Sequence, residues 1–331
     1  MVDRLSRAPE PPSPADLRDF LSAYGLKPQA LHTRVLRGGQ ENLNLRLNVD
    51  GEALVLRRYA VTPPPEVRWE LDVVDRLVDR EFPTAPVLRR RDGDLCGDLG
   101  GRPAALFRFV PGTRPRPRTL WAGEEVAGVL AALGAITLGG HSEGLRSRTD
   151  RRRLERLLCV ARVTPAGDPD LPALLVAVDR ALGWRQAHAD AWAGLPRGVV
   201  HHDAHWDNVL LDGARRLTAL LDFDEAYGDY LLTDVARLLR LWGVRRPGGG
   251  IRRERARRLL AAYERRRPLT AEERRWLPDF VVFTSLADAA DYVAGHLERD
   301  PRSRPVSGSW SYATYRRLLD EPGWRTGLTF A

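Results

Sequence analysis

Lysine is almost missing from this chain of 331 residues. Lys27 is the only one, and arginines scattered along the whole length supply the remaining positive charge, for a formal net charge of +8. Scatter of this kind reads as compositional bias more than as a selected basic surface. No nucleic-acid-binding motif accompanies it, so nucleic acid is not an expected partner. The runs "RRRDGD" and "DRRRLERLL" read as a loop and a solvated helix face. Cysteine is also scarce: Cys96 and Cys159 stand far apart, outside any metal-ligand spacing, which fits two reduced thiols in a cytoplasmic protein. No apolar run approaches the ~20 residues that span a bilayer, which argues against a membrane partner. The opening "MVDRLSRAPEPPSP" lacks the apolar segment of a secretory signal and reads as a Pro-rich, charged leader over residues 1–12.

At this length the chain can hold one large or two medium domains. "SPADLRDFLSAYG" starts on Ser-Pro and stops at Gly25, as a short amphipathic helix does. Leu43, Leu45, Leu47 and Val49 alternate with polar residues, the period of a half-buried strand. Asp50-Gly51 then predicts a two-residue hairpin turn into a second strand, "EALVLRRY". The first turn of this antiparallel sheet is "RGGQEN". "PPPEVRWELDVVDRLVDREF" predicts a helix with Val67, Leu71, Val74, Leu77 and Val78 on one face. "RPAALFRFVPG" predicts a further strand ending at Pro111-Gly112. That turn marks the expected boundary between an N-terminal lobe, 13–110, and a C-terminal lobe, 111–331. Beyond it helical patterns cover 122–139, 150–162, 170–192, 231–243, 251–266 and 271–298. Only the short β-like runs "GVVHH", "NVLLD" and "LTALLDF" interrupt them.

Those short runs carry the chain's most concentrated chemistry. "VHHDAHWDN" holds His201, Asp203 and Asn208, and "LTALLDFDEAYGD" adds Asp222 and Asp224. Phosphoryl transfer from ATP needs a backbone loop at the phosphates, a cation on their oxygens, oxygen ligands for Mg²⁺ and a base for the acceptor hydroxyl. Gly38-Gly39 lets a backbone approach an anion, although such a pair also serves as a plain turn. If Val49 faces Glu52 across the hairpin, Asn44 faces Arg57 on the polar side, away from Leu45, Leu47, Leu54 and Leu56. A guanidinium there could reach a phosphate or simply be solvated. Glu70, on the following helix, could pair with Arg57 or lie on the surface. Asp222 ends an apolar run, where an unpartnered charge is costly and Mg²⁺ would supply a partner. One Asn and one Asp suffice for Mg²⁺, which keeps waters and phosphates, and Asp203 is left as the base. Alone, Asp203 also reads as a helix cap or a turn aspartate.

"HHDAHWDN" resembles the H-x-D-x-x-x-x-N catalytic loop of aminoglycoside phosphotransferase-like kinases, and "LLDFDEA" their Mg²⁺-binding Asp segment. "RGGQEN" with "VLRRY" is similar to the GG-x-x-N loop and R-x-Y strand of choline-kinase and type II homoserine-kinase relatives. The resemblance covers most of residues 31–242. It implies a bilobal, protein-kinase-like α+β fold, with a small antiparallel β-rich N-lobe and a larger, mainly helical C-lobe. It also implies ATP and Mg²⁺ as cofactors, and a small-molecule alcohol as partner. By resemblance Asp203 is the base, and Asn208 and Asp222 are the Mg²⁺ ligands. Gly38, Gly39 and Asn42 form the phosphate loop, Arg57 binds phosphates where many relatives use Lys, and Glu70 pairs with it. Phe107 to Val110, with Phe109 between, become the hinge that meets adenine. His201 and Asp234 brace the catalytic loop, and Asp224 is a second acidic group near metal or substrate. His202 departs from the usual small Gly, Asp207 from a common Gly, and a guanidinium is not equivalent to an ammonium at position 57.

The expected function is an ATP- and Mg-dependent phosphotransferase acting on a small-molecule hydroxyl, homoserine-kinase-like. Asp224, Glu225 and Asp229 would suit an amine-bearing acceptor. An antibiotic-modifying O-phosphotransferase is the alternative, and a non-catalytic nucleotide-binding protein is a further class. A protein Ser/Thr kinase is disfavoured by the lack of G-x-G-x-x-G, D-F-G and A-P-E segments. Trp310 and Trp324 either close over the acceptor or pack the last helix.

Overall fold

Helix initiation by Ser13 sets the first element. Its hydroxyl accepts the Asp16 amide while the Asp16 carboxylate bonds back to Ser13, a reciprocal cap ahead of Pro14. The elements that follow, from a computed structural model that describes residues 11–36, 42–139, 149–164 and 167–328, run in this order. First come α1 (Pro14–Ser22), β1 (Leu31–Val35), β2 (Leu43–Val49), β3 (Glu52–Arg58), α2 (Pro64–Val78), β4 (Gly97–Asp98) and β5 (Pro103–Arg108). Then come α3 (Leu120–Thr137), α4 (Asp150–Val163), α5 (Leu171–Ala187), β6 (Arg197–Val200), β7 (Val209–Leu211), β8 (Leu217–Leu220) and β9 (Tyr227–Tyr230). The chain closes with α6 (Leu232–Trp242), α7 (Arg253–Glu264), α8 (Ala271–Arg299), α9 (Pro305–Gly308) and α10 (Trp310–Asp320). The Gly38-Gly39 turn and most of the expected leader lie outside the described residues.

Contacts group these elements into two compact units, residues 1–114 with 209–224, and residues 115–208 with 225–331. In the first unit an antiparallel sheet has the order β1-β2-β3-β5-β4. The hairpin turn has Asp50 at φ +50° and Gly51 at φ +96°, the twin left-handed residues of a tight two-residue loop. That turn fixes the register, with Val49 opposite Glu52 and Asn44 opposite Arg57, as the alternation predicts. One sheet face buries Leu43, Leu45, Leu47, Leu54, Leu56 and Leu106 against Leu17, Phe20 and Leu21 of α1. The β7–β8 hairpin also packs here: Leu220 N–H donates to Pro83 O at 2.9 Å, Thr113 bridges Leu211, and Phe223 meets the Phe82 ring edge-on.

In the second unit α8 supplies the core. Phe283, Leu286, Ala290, Val293 and Leu297 pack with Leu154 and Leu157 of α4 and Leu174 and Val178 of α5. By length and mean hydropathy alone α3 could cross a membrane, yet 56% of its apolar window is buried inside the protein. Its apolar residues are core, and Thr137 at its end does specific work. Thr137 Oγ1 accepts the Val199 amide at 3.0 Å, and β6 lies so close that a Cβ on Gly198 would come within 2.7 Å of the same oxygen. Pairing with β9 holds the other edge of β6. β6 is therefore locked on both sides just ahead of His201. Two features differ from the sequence expectation. α5 ends at Ala187, because the chain turns to send Trp192 into an aromatic cluster with Trp184, Trp276 and Phe280. β9, "YGDY", has Gly and Asp in place of a strand pattern and takes its extended form from β6.

Candidate active site

The loop after β6 is fastened by backbone bonds. Asp234, buried on α6, accepts the His201 amide at 2.7 Å and the His202 amide at 2.8 Å, one on each carboxylate oxygen. His201 is fully buried, and its Nδ1 accepts the Asp203 amide at 3.3 Å. Trp242 Nε1 donates to Ala204 O at 2.9 Å. Asp203 thus projects from a loop bound at four successive residues, 201–204, with its side chain 44% exposed. Asn208 ends a single helical turn and bends back, donating Nδ2 to Asp203 Oδ2 at 3.1 Å and to Asp203 O at 2.9 Å. Its Oδ1 is the atom a hard cation would use. Burial pushes the Asp234 carboxyl up to about 6, against the pull of the two amides it accepts.

His202 occupies φ +71°, the left-handed region that suits Gly. Its side chain is 3% exposed and held within an ionic cluster: Nε2 meets Asp150 Oδ1 at 3.0 Å, and Nδ1 lies 3.5 Å from Arg153. Burial and the Arg237 and Arg153 guanidiniums lower its pKa to about 4, overriding Asp150, so the ring is neutral at pH 7. Asp150 also binds Arg237, and Asp288 of α8 accepts from Arg237 at 2.6 Å and pairs with Arg240. Arg153 pairs with Glu225 and, at 3.3 Å, with Asp291. The reading of "DRRRLERLL" as a solvated face is corrected here. Asp150 and Arg153, one turn apart, face inward to these partners, while Arg151 and Arg152 are exposed.

In the first unit Arg57 is no solvated strand residue; it is 7% exposed. Its Nη2 donates to Asp222 Oδ1 at 2.6 Å and to Asp224 Oδ2 at 3.0 Å. Glu70, 1% exposed, stands 3.9 Å from Nη1 and accepts the Tyr59 hydroxyl at 3.0 Å. Asn42 spans the same group, donating Nδ2 to Asp224 at 3.0 Å and accepting the Ala60 amide at 3.2 Å. Asp222 sits at φ +69° just after β8. Three carboxylates thus converge on one guanidinium. Burial and the adjacent Asp222 push the Asp224 carboxyl well above the usual range, against Arg57. That crowding of hard oxygen donors is what a divalent cation relieves. Phe107 is buried in β5 opposite Val55, and the Phe109 amide donates to Ala53 O at 3.2 Å with Arg46 over its ring.

The sequence profile of the phosphotransferase enzyme family matches residues 32–269. The chain belongs to that family. It is 34% identical over 264 residues to a homoserine kinase of Gluconacetobacter diazotrophicus, covering 79% of this chain and 80% of that one. Among solved structures, a microcompartment-associated aminopropanol kinase aligns with TM-score 0.68 at 20% identity, covering 95% of this chain and 99% of that one. An amicoumacin kinase in complex with AMP-PNP and Ca²⁺ aligns with TM-score 0.66 at 15% identity, covering 92% of each chain. The family member described here is a small-molecule kinase, a phosphotransferase with an alcohol group as acceptor, on a bilobal α+β protein-kinase-like fold.

Of the residues singled out in the sequence of this kinase, His201, Asp203, Asn208 and Asp234 come together in the second unit. Asn42, Arg57, Glu70, Asp222 and Asp224 come together in the first. Sequence reasoning missed Asp150, Arg153, Arg237, Arg240 and Asp288. Their only signal is spacing: Asp234, Arg237 and Arg240 recur every three residues along a helix whose every residue is buried.

Proposed function

We propose that this kinase moves the γ-phosphoryl group of MgATP onto the hydroxyl of a small, amine-bearing molecule. Homoserine, the acceptor in the name of the curated relative, is the first candidate. In this reading the acceptor oxygen attacks the γ-phosphorus as its proton passes to Asp203. The bond from that phosphorus to the β,γ-bridging oxygen breaks, and ADP departs with the electron pair. The observation that carries the reading is the Asp203 carboxylate: 44% exposed for its substrate, yet fixed by Asn208 at 3.1 Å. A base must be both reachable and oriented.

Arg57 takes the ATP phosphates in this scheme, with Glu70 as its anchor and Gly38, Gly39 and Asn42 as the phosphate loop. Phe107 to Val110 meet the adenine through their backbone. Asn208 and Asp222 would hold Mg²⁺, with Asp224 beside them and His201 and Asp234 bracing the loop. When bound, the cation neutralises charge on the phosphate oxygens. The AMP-PNP and Ca²⁺ carried by a kinase of the same fold support a nucleoside triphosphate and a divalent cation here.

The test is Mg²⁺-dependent ADP release over homoserine, choline, methylthioribose and aminoglycosides. One acceptor is expected to turn over. Asp203→Asn is expected to keep MgATP binding and lose on the order of 10²- to 10⁴-fold in kcat. A variant as fast as the parent would remove Asp203 from the base role.

A further inference from the structure

Arg118 has a backbone that its residue type disfavours. The Arg116 carbonyl accepts the Thr119 amide at 3.2 Å, closing a four-residue turn with Pro117 second and Arg118 third, at φ +58°. Proline followed by a left-handed residue makes a type II turn, whose third place suits Gly or Asn. Strain of this kind persists only where the surroundings over-determine it, and it gathers at functional sites. What fastens Arg118 is a second arginine. Arg255 of α7 donates Nε at 3.0 Å and Nη2 at 2.7 Å to the Trp242 carbonyl, and Nη2 also donates to the Arg118 carbonyl. Nε and Nη2 share one edge of the guanidinium, so both converge on one oxygen while the second Nη2 hydrogen serves the other.

Both carbonyls belong to residues whose side chains reach the catalytic loop. Trp242 ends α6, where the last carbonyls lack helical partners, and its Nε1 donates to the oxygen of Ala204, next to Asp203. The Arg118 guanidinium lies over the Trp206 ring, 4.5 Å from its centre, as a cation on an indole face. Trp206 opens the single helical turn that ends at Asn208, and it meets the Trp242 indole edge-on at 6.1 Å. The loop between Asp203 and Asn208 is therefore gripped twice, and one guanidinium holds the backbone behind both grips. Burial, then the positive charges of Arg245, Arg258 and Arg118, lower the pKa of Arg255, so its place at this junction is electrostatically costly.

We propose that Arg255 is a positioning residue for phosphoryl transfer. By joining the Arg118 turn to the end of α6, it sets where Ala204 and Trp206 stand. It thereby keeps Asp203 and Asn208 aligned with the reacting groups, acting through the two indoles and not on a substrate. This rests on the reading of Asp203 as the base and Asn208 as a ligand of the cation.

Two variants of the full chain test it, by steady-state kinetics well below their thermal midpoints. Arg255→Met keeps the apolar stem and removes both bridges. Its kcat is expected to fall about 10- to 100-fold, the scale for reacting groups displaced by up to about 1 Å, while KM for MgATP changes less than about threefold. Arg118→Gly suits the turn and takes the guanidinium off Trp206. It is expected to unfold at about the parent's temperature and still lose about 3- to 10-fold in kcat. A purely structural role predicts lowered midpoints with kcat intact. Near-ultraviolet circular dichroism gives a readout free of turnover. The difference between the parent and Trp206→Phe isolates the Trp206 signal, and the same difference in an Arg255→Met background is expected to be smaller. Parent-like kcat in a folded Arg255→Met protein, or an unchanged Trp206 signal, overturns the assignment and leaves the kinase reading standing. Should Arg255→Met fail to fold, the same two outcomes are read from Arg118→Gly. ADP release by the parent with no acceptor overturns the kinase reading, and the assignment with it.

Discussion

His202 occupies the position where a residue without a Cβ would be at ease, and its left-handed backbone carries a cost on the order of 1–3 kcal/mol. What keeps it there is the pair of contacts its ring makes with Asp150 and Arg153, together with the amide held by Asp234. The consequence is a pH signature. The folded-state pKa of His202, about 4, lies below the unfolded value near 6.5. Its neutral form is therefore favoured above pH 6.5, and stability drains away as pH falls toward 4, because the unfolded chain takes up the proton first. Asp234 has the opposite sign: with a folded pKa near 6, it favours the folded state at low pH and loses that advantage as pH rises. The two slopes oppose each other between about pH 4 and 6. His202→Gly removes one of them and relieves the backbone. The stability advantage of the parent over this variant is expected to grow by about 3 kcal/mol from pH 4 to pH 7. Urea unfolding at a series of pH values measures it, and a difference independent of pH would refute the neutral buried imidazole.

Asp288 on α8 acts at the scale of whole elements, since it answers Arg153 from α4 and both Arg237 and Arg240 from α6. Burial would raise its carboxyl, yet the three guanidiniums hold it down to about 2. Asp288→Ala should strand those cations and cost about 3–5 kcal/mol, read as a lower urea midpoint. A midpoint shift below 1 kcal/mol would mean that the remaining carboxylates suffice. Here too the limits of sequence reading become visible. The β2–β3 register, and with it the placement of Arg57 on the polar side, follows from one turn and a period of two, both local properties. The helices follow from equally local periodicity. The clamp among α4, α6 and α8 does not, because which of many arginines is buried depends on tertiary partners over fifty residues away. In a chain this rich in arginine, composition hides the few that matter. Local pattern also fails for β9, which is a strand only because β6 lies beside it.

At the scale of the whole molecule the sequence offers a boundary near Pro111-Gly112, whereas contacts assign residues 209–224 to the unit that begins the chain. No property of those residues read in order announces which partner they return to. The return has a consequence for the order of assembly. Arg57 meets Asp222 at a sequence separation of 165, and Asn42 meets Asp224 at a separation of 182. While the chain is being synthesised, the guanidinium of Arg57 has none of these aspartates to bury itself against until residues 222 and 224 have left the ribosome. The first unit is therefore unfinished for the whole interval in which residues 115–208 are made. Nascent chains arrested with residue 208 exposed are expected to leave β2 and β3 open to limited proteolysis, and chains arrested with residue 234 exposed to protect them. Equal protection at both lengths would show that the sheet closes before the aspartates arrive. The cation that we assign to ATP would then spend part of every synthesis with Glu70 but neither aspartate beside it, a window in which a helper that shields basic, half-formed sheets would have something to hold.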